Sequence, residues 1–87
     1  MNLLFSRSSL SYLKRQDKRT RNRIVSAIDR LPTSGDIMRM KAAKIENLFR
    51  LRVGKFRVLY VQESENIRIL DIDTRGDIYK SNQGKGT

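Results

Sequence analysis

Two consecutive runs of the sequence, residues 48–53 and 55–61, alternate between apolar and polar residues on either side of Gly54. Alternation with a period of two is typical of a β-strand that buries one face. A glycine between two such runs predicts that they pair as a hairpin, which commits this part of the chain to an antiparallel sheet. The apolar positions of the two runs are Phe49, Leu51, Val53, Phe56, Val58 and Tyr60.

A two-residue loop over 53–54 would place Arg50 opposite Arg57 and Arg52 opposite Lys55. All four cations would then point away from the core, and a slip of one residue would bury them. Like charges that face each other destabilise a sheet. The cluster is therefore interpreted as an anion site, because guanidinium groups bind phosphate bidentately. Two alternatives remain: a basic face without a ligand, and a bulged turn with another pairing, since a β-branched valine fits a tight primed turn poorly.

The rest of the chain predicts helices first and strands afterwards. Ser6, with Ser8 and Ser9, offers side-chain oxygens that can cap the start of a helix. Pro32 ends the second helix, because the residue before a proline avoids the helical region. The predicted elements outside the hairpin are a strand over 2–5, helices over about 8–16 and 18–31, a loop over 33–36, and strands over 37–41 and 67–72. The predicted fold class is α+β, with an N-terminal strand, a two-helix hairpin, and an antiparallel sheet of three to four strands.

Composition limits what such a domain can do. The 87 residues include 19 Lys and Arg against 9 Asp and Glu, a net charge of +10, which indicates a polyanionic partner. There is no Cys and no His, so a disulfide framework, a Cys/His zinc site and the usual acid–base catalyst are all excluded. The sequence has neither a secretory signal nor an apolar run long enough to span a membrane. We expect a cytoplasmic protein without a membrane partner, metal or other cofactor.

The predicted helices carry cations at i and i+4, among them Lys14 and Lys18, and Arg19 and Arg23. Each such pair costs an isolated helix about 0.2–0.5 kcal/mol. Few acids offset these charges, so the helices are predicted to face an acidic partner. RNA or a ribosome is one candidate, which Lys14, Lys18 and Arg21 would bind. The alternative is an ordinary solvated helix face.

Residues 48–60, LFRLRVGKFRVLY, resemble the YRLRVGDYRVIY core of RelE/ParE-type toxins of bacterial and archaeal toxin–antitoxin systems. Residues 69–80 look like the family's closing pattern, I-x-x-I-x-x-R-x-x-V-Y-K. The resemblance covers nearly the whole chain, so we expect a single RelE-like domain over 1–80 and a flexible C-terminal tail over 81–87. It implies a toxin that enters the ribosomal A site, cleaves mRNA there as a metal-independent endoribonuclease, and is inhibited by a cognate antitoxin that wraps its surface.

The resemblance also implies catalytic residues. Arg57, Arg75 and Tyr79 match an arginine of the second hairpin strand, an arginine after the last strand, and a C-terminal tyrosine. Arg50 takes a position where RelE-type nucleases carry a catalytic lysine. The arginines would stabilise the pentavalent phosphate, and Tyr79 would stack on an unpaired base or assist the 2′-OH. The structural alternatives are an Arg75 paired with a nearby aspartate and a Tyr79 that belongs to the core or to an edge.

One position departs from the pattern. Leu48 stands where the best-known members carry a second catalytic lysine, and Lys41 or Lys44 would have to substitute for it. Because arginine stays protonated at physiological pH, the proton carrier is left open among a few lysines and Tyr79. The remaining residues predicted to bind RNA or the ribosome are Lys44, Arg52, Lys55 and Lys80, of which Lys44, Lys55 and Lys80 are also the candidate proton carriers.

Two other functions stay open. A toxin of the same fold that poisons DNA gyrase would be a binding protein rather than an enzyme, and the retained Arg75, Tyr79 and Lys80 favour the nuclease branch over it. A non-toxic nucleic-acid-binding module is the second alternative. It is less favoured because only six aromatic residues are present and three of them are predicted core, which leaves no stacking platform for single strands.

Overall fold

A computed structural model of the protein describes residues 2–41 and 44–74. The predicted α+β order is confirmed. The elements are β1 (Asn2–Phe5), α1 (Arg7–Lys14), α2 (Lys18–Asp29), β2 (Asp36–Arg39), β3 (Leu48–Val53), β4 (Phe56–Gln62) and β5 (Asn66–Thr74). None of the helices in the described part of the chain is long and apolar enough to cross a membrane.

The strands form one five-stranded sheet in the order β1-β5-β4-β3-β2. The β2–β3, β3–β4 and β4–β5 pairs are antiparallel, whereas β1 lies parallel beside β5. The β4–β5 pairing contains a bulge, because Leu59 pairs with Asp71 but Tyr60 pairs with Ile69. Leu70 is the extra residue, and such an insertion bends a strand and increases its twist.

Both helices pack on one face of the sheet. Ile24 and Ile28 of α2 are fully buried, with no solvent exposure, and Leu13 of α1 is 6 % exposed. The apolar side of each helix thereby covers the apolar positions of the strands, as the alternating pattern predicts. The strand residues of this core are Leu51, Val53, Phe56, Val58, Tyr60, Ile67, Ile69 and Ile72.

Side-chain caps determine where the helices begin. The Ser6 hydroxyl accepts a hydrogen bond from the Ser9 amide at 3.1 Å and starts α1. The Asp17 carboxylate accepts one from the Thr20 amide at 2.9 Å and starts α2. The hydrogen bonds from Thr20 hold the pKa of the Asp17 carboxyl below its usual range. Residues 15–17 thus separate two helices, and Lys14 and Lys18 do not lie four apart on one helix.

The hairpin register differs from the predicted one. Val53 pairs with Phe56 and Arg52 pairs with Arg57, so the loop consists of Gly54 and Lys55 rather than residues 53–54. Gly54 has a φ of +59°, which L-residues rarely adopt. Val53 is free to stay in the core, where it is 8 % exposed. A β-branched residue is thereby kept out of the turn that it fits poorly.

Candidate functional site

The face of the sheet opposite the helices, here called the open face, changes character along the strands. Near the Gly54 turn it carries the basic half, made of Arg50, Arg52 and Arg57 on β3 and β4. At the other end of the same strands it carries aliphatic side chains. We call these the apolar half, which consists of Leu4, Ile45, Leu48, Leu59, Val61 and Leu70.

The register arranges the charges of the basic half in one row across four strands. Asp36 of β2 pairs with Arg52, Arg52 with Arg57, and Arg57 with Asp73 of β5. The Arg52 Nε donates to the Asp36 Oδ2 at 2.9 Å. Two aspartates therefore flank two arginines, and the acids offset the repulsion between cations that face each other on neighbouring strands. The sequence interpretation had placed residue 36 in a loop and missed this partner.

Arg50 lies outside this row, and the described residues compensate its charge only weakly. Its cross-strand neighbours are Met38 and Leu59, neither of which carries charge. Only 8 % of the residue is exposed. Its Nη2 is 4.0 Å from Asp36 Oδ1, at the limit of an ion pair, and its buried Nε has no hydrogen-bond partner in the described part of the chain. Burying a cation with so little compensation is costly, so Arg50 is the side chain best prepared to receive an anion.

Arg50 and Arg57 can reach a common ligand. Arg50 is directly opposite Leu59, and Arg57 precedes Leu59 by two residues on the same strand, so the two arginines are diagonal neighbours. Diagonal neighbours in an antiparallel pair are about 7–8 Å apart, which long side chains span. Two guanidinium groups at this separation can hold one phosphate between them.

Lys55 is not part of this face. It occupies the turn, and its Nζ lies 5.5 Å from the centroid of the Phe56 ring. Phe56 in turn meets the edge of Tyr12 from α1, so the ammonium group is near the helical side of the molecule. The predicted cluster of four cations is therefore a cluster of three.

The other predicted binding residues are spread over the surface. Lys44 is exposed in the loop before β3, and Lys14 and Lys18 are exposed at the junction of the two helices. Arg21 has a structural role there, because its Nη1 donates to the carbonyl oxygens of Gln16 at 3.1 Å and Leu13 at 3.5 Å. These bonds tie the first turn of α2 to the end of α1, where the Leu13 carbonyl also accepts from the Gln16 amide at 3.1 Å.

Some predicted residues lie outside the part of the chain that the structure describes. They are Arg75, Tyr79, Lys80 and the tail 81–87. Among residues 2–41 and 44–74, no group of three or more acidic side chains is placed to hold a metal ion. The described part of the candidate site thus consists of Arg50, Arg52 and Arg57, with Asp36 and Asp73 beside them.

Comparison with known proteins identifies the family of the chain. Residues 3–79 match the family model described as the ParE toxin of the type II toxin–antitoxin system parDE. The chain belongs to the ParE toxin family. The RelE/ParE resemblance seen in the sequence is thereby confirmed. No curated protein sequence matches the toxin.

Solved structures of toxins share its fold. In the RelB–RelE antitoxin–toxin complex of Methanococcus jannaschii, the matching chain is 25% identical, with a TM-score of 0.69 over 90% of the toxin and 96% of that chain. The RelE–RelB complex of Pyrococcus horikoshii gives 22% identity and a TM-score of 0.70, over 86% and 94% of the two chains. The matching chain of the YoeB–YefM complex of Staphylococcus aureus is 20% identical, with a TM-score of 0.62 over 86% of the toxin and 97% of that chain. The latter two likenesses concern the fold alone.

Proposed function

We propose that this toxin is a metal-independent endoribonuclease that cleaves mRNA on the ribosome and is neutralised by a cognate antitoxin. The observation that carries the proposal is the buried Arg50: among the residues that the structure describes, its Nε has no hydrogen-bond partner and its one ion pair is 4.0 Å long. Folding has already removed water from this guanidinium group, so that cost is not repeated when a phosphate binds. A phosphate therefore binds it more favourably than it binds a guanidinium group that already has a partner.

In the proposed reaction the 2′-hydroxyl attacks the adjacent phosphorus, and the 5′-oxygen of the next nucleotide leaves. Arg50 and Arg57 bind the non-bridging oxygens and stabilise the charge that develops on them. Arg75 would add a third cation, and Tyr79 would stack on the base or assist the 2′-hydroxyl. The ribosome would hold the mRNA in the geometry of the reaction, and such orientation can lower the activation barrier by several kcal/mol.

We assign proton transfer to a residue other than an arginine, since a guanidinium group stays protonated at physiological pH. Lys55 is a weaker candidate than its sequence position suggested, because its ammonium group lies against Phe56 rather than beside Arg50. Tyr79, Lys80 and Lys44 remain the proposed carriers.

The antitoxin partner is supported by the structural neighbours, which were solved as RelB–RelE, RelE–RelB and YoeB–YefM complexes. A protein with a net charge of +10 also favours a negatively charged partner.

Two observations favour a second function. The matching family model is named for the toxin of parDE rather than for RelE, and Arg52 is already paired with Asp36 at 2.9 Å, so part of the basic half needs no ligand. A toxin that poisons DNA gyrase by binding it would fit both facts.

The test separates the two functions. The purified toxin is added to a translating extract, mRNA 5′ ends are mapped, and gyrase supercoiling is assayed with the same protein. We expect cleavage within codons of translated mRNA that is lost in Arg50→Met and Arg57→Ala. The control is Arg7→Gln, an exposed cation at the start of α1 that should leave cleavage unchanged. Intact mRNA together with blocked supercoiling would overturn the nuclease proposal in favour of the gyrase one.

A further inference from the structure

A cavity lies on the helical side of the sheet, at the end of β3 and β4 that is farthest from the Gly54 turn. Its volume is about 320 Å³, within the range of about 300–1,000 Å³ that is usual for small-molecule sites. Phe49 and Gln62 belong to this side because they alternate with Arg50 and Val61, which point to the open face. The chemistry proposed for the open face does not use this cavity. Its lining residues are Asn47, Phe49, Gln62, Glu63 and Ser64.

Phe49 gives the cavity an aromatic wall. Although it packs against the core, the residue is only partly buried. Tyr60 of β4 stacks on its ring with centroids 5.5 Å apart, and the Arg39 guanidinium of β2 lies 5.8 Å from the ring centroid. Because β3 lies between β2 and β4, these two groups cover opposite faces of the ring and leave its edge exposed. The edge of an aromatic ring is electropositive and packs favourably against the face of another π-system.

The polar groups of the cavity are held in defined positions. The Asn47 carbonyl oxygen accepts from the Gln62 amide at 3.1 Å, so the two residues lie side by side. The Arg39 Nη2 donates to the Asn47 Oδ1 at 3.3 Å, which leaves the Asn47 Nδ2 as a hydrogen-bond donor for a ligand. Glu63 supplies an acceptor, because its carboxylate is exposed and its ion pair with Arg68 is a weak one of 3.7 Å. The cavity thus presents a donor and an acceptor beside an aromatic edge.

This combination matches a nucleobase. The face of a base is a π-system, and its edge carries acceptors and exocyclic amino donors that carboxamides and carboxylates bind. A sugar ring offers no π-face to the exposed edge of Phe49. The guanidinium of Arg39 is exposed beside Asn47 and suits the phosphate of a nucleotide.

We propose that this cavity binds a nucleobase that carries an exocyclic amino group. Glu63 would accept from that amino group, Asn47 would donate to an acceptor on the ring, and Arg39 would contact the phosphate. The base can belong to a free nucleotide or to an unpaired residue of an RNA strand. The site goes beyond the proposed function, because it lies on the other side of the sheet from Arg50 and its occupation requires no cleavage.

The test titrates the full-length toxin, labelled with ¹⁵N, and follows the side-chain amide resonances of Asn47 and Gln62. The probes are cytidine 5′-monophosphate, uridine 5′-monophosphate, ribose 5-phosphate, and short oligonucleotides of cytidine and of uridine. Uracil carries a carbonyl oxygen where cytosine carries the amino group, so Glu63 should discriminate between them. The variants are Glu63→Gln and Asn47→Gly, since glycine tolerates the φ of +57° at residue 47. The matched control is Glu65→Gln, an exposed acid of the same turn that does not line the cavity.

We expect cytidine monophosphate to bind at least about tenfold more tightly than uridine monophosphate, as the loss of one hydrogen bond to a charged group predicts. Glu63→Gln should abolish that preference, Asn47→Gly should weaken both nucleotides, and Glu65→Gln should match the parent. Tighter binding of the cytidine oligonucleotide than of the mononucleotide would assign the site to RNA, and equal binding would assign it to free nucleotides.

Three results would overturn the inference. They are equal affinities for the two mononucleotides in the parent toxin, equal shifts with ribose 5-phosphate, and a loss in Glu65→Gln as large as that in Glu63→Gln. The first two comparisons use the unaltered protein, so they do not depend on how a variant folds. None of the readouts involves mRNA cleavage or gyrase, so a failure of the proposed function would show itself separately.

Discussion

Arg50 is a buried and poorly paired cation, and a residue of this kind lowers the stability of the fold. Its side chain is 9 % exposed. Within residues 2–41 and 44–74, its Nε has no hydrogen-bond partner and its one ion pair is a long contact to Asp36. Replacing a poorly paired buried charge by an apolar side chain of similar length often leaves a fold as stable or more stable. Residues that a fold would be more stable without are frequently those that function requires.

The substitution Arg50→Met tests that cost. We expect it to raise the free energy of unfolding by about 1 kcal/mol, because it removes an underpaired buried cation and keeps the aliphatic stem. Urea denaturation monitored by circular dichroism measures the change. Arg52→Met is the comparison, since the Arg52 side chain is 41 % exposed and its pair with Asp36 should be worth under about 1 kcal/mol. A loss of stability in Arg50→Met would mean that Asp36 compensates the charge well.

Tyr60 is a buried titratable group on the helical side of the sheet. It is 1 % exposed and stacks on Phe49 with ring centroids 5.5 Å apart. Burial raises the pKa of the Tyr60 phenol above its usual value of 10.0. Above pH 10 the unfolded chain therefore releases this proton before the folded protein does, and stability falls as the pH rises through the folded pKa.

The expected result is a decline in the free energy of unfolding above pH 10 that is steeper for the parent than for Tyr60→Phe. The variant keeps the stacked ring and removes the titrating hydroxyl, so lysines and the other tyrosines contribute equally to both proteins. Denaturation curves collected between pH 9 and pH 11 give the two slopes. Parallel slopes would show that the phenol is not desolvated.

At the scale of the element, α1 is attached to the sheet through its first turn. The Ser6 hydroxyl accepts from the Ser9 amide and donates to the carbonyl oxygen of Leu70 at 2.8 Å, at the bulge of β5. Ser9 is fully buried, and its hydroxyl lies 2.8 Å from that of Ser6. One side chain thus caps a helix and satisfies a carbonyl that the bulge removes from the ladder.

We expect Ser6→Ala to cost about 1–2 kcal/mol, the upper part of the range for a lost N-cap, because a carbonyl loses its donor as well. Thermal and urea unfolding measure the loss. Ser8→Ala is the matched control, since Ser8 is exposed and its hydroxyl is 3.4 Å from the Leu70 oxygen. Equal effects in the two variants would contradict the assigned cap.

The hairpin shows which part of an element its sequence determines. The alternation predicted correctly that Leu51 and Phe56 face the core and that Arg50 and Arg57 face away from it. The predicted pairing was nevertheless wrong, since Arg57 pairs with Arg52 rather than with Arg50. Each residue's partner moves by two positions, and a shift of two preserves every side-chain face. Hydrophobic patterning therefore cannot detect it. The two registers differ in the residue that shares the turn with Gly54, and the observed one places Lys55 there and keeps the β-branched Val53 in the strand.

The sequence predicted which arginines form the candidate site, but not the acidic residue that compensates their charge. The arginines of β3 and β4 follow from alternation alone. Asp36 could not be found that way, because β2 is only four residues long and has no strong pattern of its own. The apolar half was missed for a similar reason: Leu4 and Ile45 come from distant parts of the sequence, and only the parallel placement of β1 beside β5 brings Leu4 close to Leu70.

At the scale of the whole molecule, the net charge is +10, and within the described residues both the open face and the helices carry several cations. In the described part of the chain, no ion pair involves a cation of α1 or α2. Lys14 and Lys18 are exposed at the junction of the helices, while Arg7 and Arg30 are exposed at the opposite ends of α1 and α2. If the toxin binds the ribosome as proposed, the two pairs should contribute differently although they carry the same charge.

The double substitution Lys14→Gln/Lys18→Gln tests this difference against Arg7→Gln/Arg30→Gln. Both lower the net charge by two, so a long-range effect of charge alone would weaken ribosome binding equally in the two proteins. A direct contact with a phosphate instead releases a counterion from the RNA. Each such contact contributes about 0.7–0.9 to the slope of log affinity against log salt concentration. We expect the Lys14/Lys18 variant to lose about 1.5 of that slope and the Arg7/Arg30 variant to keep the parent's value, measured by sedimentation with purified ribosomes at several salt concentrations. Identical slopes in the two variants would mean that the helix junction steers the toxin toward RNA without touching it.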